Sequence, residues 1–351
     1  MIKKIVYLLL LGLLIPFNSV NAQGCEDDLI ATENDSLAPA VRVFGFIQPE
    51  YNYEFTDEND SQFDFRRARV GVRGKIIDDF SYYMMIEASP FINLGGSGSD
   101  AFLLDAFVTW NKYNWYRVSL GSFKEPFSLE LATACHSLIT VQRSIVVDQL
   151  IAPQRDYGIM LLGGNQFTKF TYAISLMNGR GIGVSDDNRK KDFVGRATYK
   201  VTDFLTLGAS FRYGYPIPNN DDDFRRTVGG EFKLDLNNFH FQGEYIYDEG
   251  AYFLGAAGGC GVTPVSLGEK RDGAYIMAYY DTKWNFQPVL KYEYFDADLD
   301  MKDLAYQEMM TIGFNYFFSD KVRVQVNYQA RIETVNSVDN DVLIGQVQVR
   351  F

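Results

Sequence analysis

Leu343-Ile344-Gly345-Gln346-Val347-Gln348-Val349-Arg350-Phe351 alternates strictly between two chemistries. Leu343, Gly345, Val347, Val349 and Phe351 share one face of an extended chain, and Ile344, Gln346, Gln348 and Arg350 share the other. A period of two marks a strand with one apolar and one wet face. Val322 to Ile332 repeats the pattern, with Arg323, Gln325, Asn327, Gln329 and Arg331 on the wet side. Phe239 to Asp248 repeats it again, with His240, Gln242, Glu244 and Asp248 on that side.

From Val41 onward sixteen such segments can be placed, near 42–55, 63–77, 79–89, 101–111, 114–123, 154–164, 166–178, 192–201, 203–214, 224–236, 238–248, 271–282, 284–295, 305–318, 320–332 and 341–351. Each is long enough to cross a bilayer when tilted, which takes ~9–11 residues. Short turns occur at Asp78-Asp79, Lys112-Tyr113, Asn165, Thr202-Asp203, Asn237-Asn238, Lys283 and Ser319-Asp320. Long connections occur near 56–62, 90–100, 124–153, 179–191, 215–223, 249–270, 296–304 and 333–340. This regular asymmetry predicts an all-β fold: one transmembrane antiparallel β-barrel of 16 strands, with short periplasmic turns and long outer loops. An even strand count lets the first and last strands pair, which removes the sheet edges.

Composition fits that architecture and excludes others. The 351 residues carry a formal net charge of −12 and a pI near 4.7, so nucleic acid is not an expected partner. With 47% hydrophobic residues the chain is too apolar for disorder. A mean hydropathy of −0.15 excludes a bundle of membrane helices but not a barrel, whose apolar residues alternate with polar ones. Three Cys are too few for a disulfide scaffold, although Cys135 and Cys260 both fall in long connections and could pair. Lys3 and Lys4, the apolar run Ile5–Phe17 and the short residues up to Ala22 read as a signal peptide over 1–22. A lipoprotein signal ending at Cys25 is the rival reading. The mature domain is then 23–351, with 23–40 as an N-terminal periplasmic segment.

Charge is segregated by parity. On the inward faces bases outnumber acids, with Arg67, Arg69, Arg73, Lys75 and Arg117 among them, while the long connections are rich in acids. A basic lining in a narrow passage raises the local anion concentration. Arg67, Arg69, Arg73 and Lys75 lie along one side of a single strand, where they need either counter-charges from neighbouring strands or a passing anion. The connection 124–153 stands apart. It opens Lys124-Glu125-Pro126-Phe127-Ser128 and then reads as a short helix with Leu131, Cys135, Leu138 and Ile139 on one side. A connection that long, with its own apolar face, must bury that face, and the inner wall of a wide barrel is the available place.

Phe63-Asp64-Phe65-Arg66-Arg67-Ala68-Arg69, Leu104-Asp105-Ala106-Phe107-Val108, Leu120-Gly121-Ser122-Phe123-Lys124-Glu125-Pro126-Phe127-Ser128 and Gln154-Arg155-Asp156-Tyr157-Gly158 come in an order that resembles the phosphate-selective porin O/P family of outer-membrane porins. The resemblance implies a 16-stranded barrel, a homotrimer, a Gram-negative outer membrane with its lipid and lipopolysaccharide, and a third outer loop folded into the pore. It implies passive diffusion of small anionic solutes such as phosphate past a constriction at Arg67, Arg69, Asp105 and Lys124. Where family members place Ser shortly after that Lys, this chain has Phe127 and then Ser128. The expected pore-contacting set is therefore Arg67, Arg69, Arg73, Lys75, Asp105, Arg117, Lys124 and Ser128. Other readings are a general porin, a hydrophobic-solute channel using Met84, Met85, Phe107, Met160, Met177, Met277, Met309 and Phe317, or a surface-binding protein. An outer-membrane hydrolase would have to use His136 or His240, and neither is paired by sequence with an obvious Ser/Asp set. No catalysis, cofactor or metal is implied.

Overall fold

The computed structural model describes residues 41–56, 60–91, 102–252, 265–301, 305–333 and 339–351. The expected leader, the segment 23–40, Cys25 and Cys260 lie outside the described residues. The strands are β1 (Arg42–Phe55), β2 (Ser61–Ile77), β3 (Phe80–Glu87), β4 (Phe102–Tyr113), β5 (Tyr116–Lys124), β6 (Arg155–Gly163), β7 (Phe170–Met177) and β8 (Asp192–Lys200), then β9 (Leu205–Gly214), β10 (Arg225–Leu236), β11 (Phe239–Gly250), β12 (Lys270–Tyr280), β13 (Phe286–Asp296), β14 (Tyr306–Phe317), β15 (Val322–Glu333) and β16 (Asp341–Arg350). Each pairs antiparallel with its sequence neighbours, and β1 pairs with β16 to close the barrel.

The strands match the sixteen expected segments to within a few residues. The largest difference is at β7, which starts at Phe170 rather than near residue 166. Asn165 and Thr168 explain it. Asn165 Oδ1 accepts the Phe167 N–H at 2.9 Å, and Thr168 Oγ1 accepts the Asn165 N–H at 2.9 Å. Such side-chain bonds to nearby backbone compete with the ladder and make a turn. Asn237, at φ 54°, takes the left-handed conformation that the tight Asn237-Asn238 turn requires.

Parity places the two faces. Leu120, Leu176, Ile276, Ile312 and Val347 are exposed on the outside, as a lipid-facing wall requires. Trp115, Trp284 and Phe318 are exposed near the short-turn rim, in keeping with an interfacial aromatic girdle. One irregularity protects the parity of β2. Gln48 pairs with Arg67, but Pro49 pairs with Phe65, so Arg66 is an extra residue in a bulge. Proline has no N–H to give the ladder, which makes this a natural place for a break. The bulge leaves Phe63 outward, 86% exposed, and turns Arg67 and Arg69 inward, where both are buried.

Candidate functional site: the inner wall and the loop folded into it

The chain between β5 and β6 enters the barrel. It carries α1 (Leu129–Ala132), a 3-10 turn (Cys135–Ser137) and α2 (Ile145–Leu150). The sequence reading expected one helix through Leu131–Ile139, and that is corrected here. Thr133, Ala134 and Leu138 are extended, with ψ near 130–140°. The wall supplies the reason. Gln48 Nε2 donates to the Cys135 carbonyl at 3.4 Å and Gln348 Nε2 to that of His136 at 3.0 Å. Gln325 Nε2 reaches the carbonyls of Leu138 and Ile139 at 3.3 and 3.2 Å, Asn315 Nδ2 reaches that of Ile139 at 2.9 Å, and Asn327 Oδ1 accepts the Val141 N–H at 2.8 Å. Backbone groups that an isolated helix would pair internally are paired here with barrel amides, so the tertiary contacts override the helical pattern.

The loop is also tied to itself and anchored by an apolar core. Arg143 donates to the carbonyls of Glu130 at 3.0 Å and Thr133 at 3.2 Å and to Cys135 Sγ at 3.4 Å, while Glu130 Oε2 accepts the Ser144 N–H at 2.6 Å. Phe127, Leu131, Val146, Val147, Leu150 and Ile151 form one buried cluster with wall residues Met85, Phe107, Phe123, Met160, Met177, Val194 and Phe295. Gly273 lets α2 sit close: a Cβ there would lie 2.8 Å from Val146 Cγ2. Several side chains that parity assigned to a greasy lumen are thus core, covered by the loop rather than bare to a solute. Met84 points to the lipid side and is exposed.

The expected pore residues fall into two groups. Arg67, Arg69, Asp105, Arg117 and Ser128 are buried. Arg67 Nη1 donates to Gln48 Oε1 at 3.0 Å. Arg69 pairs with Glu87 at 2.6 Å across the β2–β3 ladder and donates to Cys135 Sγ at 3.1 Å. Asp105 is held by Arg155 Nε at 3.0 Å, and Arg117 Nη2 donates to the Gly164 carbonyl at 2.5 Å. Ser128 caps α1: its Oγ accepts the Leu131 N–H at 3.2 Å and donates to Glu244 Oε2 at 2.9 Å. Arg73, Lys75 and Lys124 are only half-buried. Lys124 Nζ donates to the Leu131 carbonyl at 3.1 Å, which puts its charge at the start of the loop. Arg73 lies over the Phe44 ring, 5.4 Å from its centroid.

Sequence reasoning missed Arg155, Arg143 and Arg271. Arg271 shares odd parity with Tyr275 and Tyr279, which could have found it. Its guanidinium and that of Arg225 both hold Asp248, whose Oδ1 lies 2.9 Å from Arg225 Nε, with the Tyr252 ring 5.5 Å from each guanidinium. Arg212 likewise pairs with Glu125 at the entry to the loop.

A closed 16-stranded barrel with its third long connection folded against a basic inner wall is the architecture of a channel. The family description phosphate-selective porin O and P matches residues 41–257 and 216–351. The chain belongs to that family. It is an outer-membrane porin. No curated protein sequence matches it. Among solved structures this porin is similar to an anion-selective porin from Comamonas acidovorans, at 14% identity and a TM-score of 0.60, covering 88% of this chain and 98% of that one. It is similar to OmpF of Salmonella typhi, at 12% identity and a TM-score of 0.63, covering 89% and 97%. It is also similar to the outer-membrane channel DcaP of Acinetobacter baumannii, at 11% identity and a TM-score of 0.63, again covering 89% and 97%. At such identities the likeness is one of fold.

Proposed function

We propose that this porin passes small oxyanions, phosphate among them, in preference to cations, by passive diffusion along the loop-lined inner wall. One observation carries the reading. Five inward acids are matched by cations, Glu87 by Arg69, Asp105 by Arg155, Glu231 by Arg196, Asp248 by Arg225 and Arg271, and Glu293 by Lys291, while Glu50 and Glu244 accept from amide and hydroxyl groups. Bases outnumber acids on the inward faces, and buried Arg323 donates to the neutral Gln348 Oε1 at 3.0 Å. An excess of bases over acids gives the wall a net positive field. Half-buried Lys124, Arg73 and Lys75 are the cations placed to meet a solute. Buried Arg67, Arg69, Asp105, Arg117 and Ser128 shape the wall. The family resemblance also supports a homotrimer embedded in outer-membrane lipid and lipopolysaccharide.

The test is the zero-current potential of the purified protein in a planar bilayer under a KCl gradient. The expected sign is that of anion selectivity, weakened in Lys124→Glu. A cation-selective or unselective channel would keep the porin and remove the anion reading.

A further inference from the structure

Four inward side chains form a straight row across four strands. Arg323 on β15 stands opposite Gln348 on β16, and Gln48 on β1 stands opposite Arg67 on β2. Hydrogen bonds join them end to end: Arg323 Nη2 to Gln348 Oε1 at 3.0 Å, Gln48 Nε2 to Gln348 Oε1 at 2.7 Å, and Arg67 Nη1 to Gln48 Oε1 at 3.0 Å. The neighbouring row adds Arg350 and Arg69, both opposite Phe46. Guanidiniums therefore gather on one wall, bridged by amides.

Arg323 is the group left over. It is 4% exposed, its Nε has no hydrogen-bond partner, and no carboxylate among the described residues lies within ion-pair distance of it. The carboxylate one row away, Glu50, accepts instead from Gln346 Nε2 and Asn52 Nδ2, both at 3.0 Å. A buried charge without a counter-charge is costly, and a buried donor without an acceptor adds to the cost. Gln348 Oε1 already accepts twice, so it cannot also serve Nε. The loop borders this row from above, its His136 and Cys135 carbonyls resting on Gln348 and Gln48.

We propose that Arg323, with the Gln348–Gln48 bridge and Arg67, forms an oxyanion subsite on the β15–β16–β1–β2 wall, beneath the 3-10 turn of the loop. The occupant is a small anion with at least two acceptor oxygens, such as phosphate or sulfate. A guanidinium fork offers parallel N–H donors that match such an oxyanion and match chloride poorly. The subsite rests on the anion reading of the pore and adds to it a second station, on the far side of the loop from Lys124. Arg323 lies one residue inside the short-turn end of β15, so an anion entering from that rim meets it before the loop.

The experiment measures block of single-channel chloride current by inorganic phosphate, added separately to each side, for wild type, Arg323→Gln, Arg323→Lys and Lys124→Gln. Folding of each variant is checked by heat-modifiable electrophoretic mobility. In Arg323→Gln the half-blocking phosphate concentration on the short-turn side is expected to rise about tenfold, the loss of one charge-assisted contact. Arg323→Lys keeps the charge without the fork, is expected to fall between, and serves alone if the Gln variant does not fold. Lys124→Gln is expected to weaken block from the opposite side. Unchanged block in both Arg323 variants, with wild type anion-selective, overturns the subsite and leaves the anion channel standing. Absence of phosphate block and of anion selectivity in wild type overturns both.

Discussion

Phe127→Ala tests whether the infolded loop controls passage. Phe127 is fully buried, packed with Leu131, Val146 and Leu150 against the barrel wall, and its ring faces Gly229, where a Cβ would stand 3.1 Å from Phe127 Cε1. Truncating a buried Phe to Ala costs about 3–5 kcal/mol. The ladder of sixteen paired strands does not use this side chain, so the loss falls on docking of the loop rather than on barrel closure. Converted at about 1.4 kcal/mol per tenfold, the ratio of docked to lifted loop falls by roughly a hundred- to several-thousand-fold. The polar seam to Gln325, Asn315 and Asn327 remains, so the loop is expected to lift transiently rather than leave. Single-channel recordings in KCl should show flicker to a higher conductance and weaker anion selectivity. Heat-modifiable mobility should stay that of a folded barrel. A steady current at the wild-type level, together with a lowered melting temperature of the barrel, would refute the reasoning, because the loop would then be structural ballast.

Three further outcomes are expected. Arg143→Met removes a charged hub from the loop, where each lost bond to a charged donor is worth about 1.5–3 kcal/mol, and should raise open-channel noise without unfolding the barrel. Asp105→Ala leaves Arg155 buried and uncompensated, a change that typically costs about 3–5 kcal/mol, and should lower the temperature of heat-modifiable unfolding; Arg155→Met on that background should restore part of the loss. Gly121→Ala places a Cβ 2.1 Å from the Ala106 carbonyl oxygen at φ 141°, and should cut the yield of folded barrel on refolding from urea into detergent.

Most of the fold was legible because a barrel writes itself in period two. Val347 and Val349 between Gln346, Gln348 and Arg350 need no knowledge of partners to be read as one wall. The infolding of 124–153 was legible from length and apolar content. Its conformation was not, because the carbonyls of Cys135 to Ile139 are held by side chains some 90 to 210 positions away in sequence. Alternation also reports only which side a residue faces. Met160 and Phe107 share parity with water-facing residues, yet meet Leu150 and Phe127 in one cluster, a distinction set by the loop. Among the site residues, the inward turn of Arg67 was readable, but its amide partner was not, since cross-strand register depends on the bulge at Arg66.

The loop touches the wall at β1, β14, β15 and β16 through amides and at β3 to β8, β11 and β13 through its apolar core. Mechanically, that is a strut inside a thin tube. A hollow cylinder in a membrane yields to lateral pressure by ovalising, and a diagonal brace resists that mode most. The same thirty residues that narrow the bore therefore stiffen its cross-section, so the width of the passage and the roundness of the barrel cannot be varied independently.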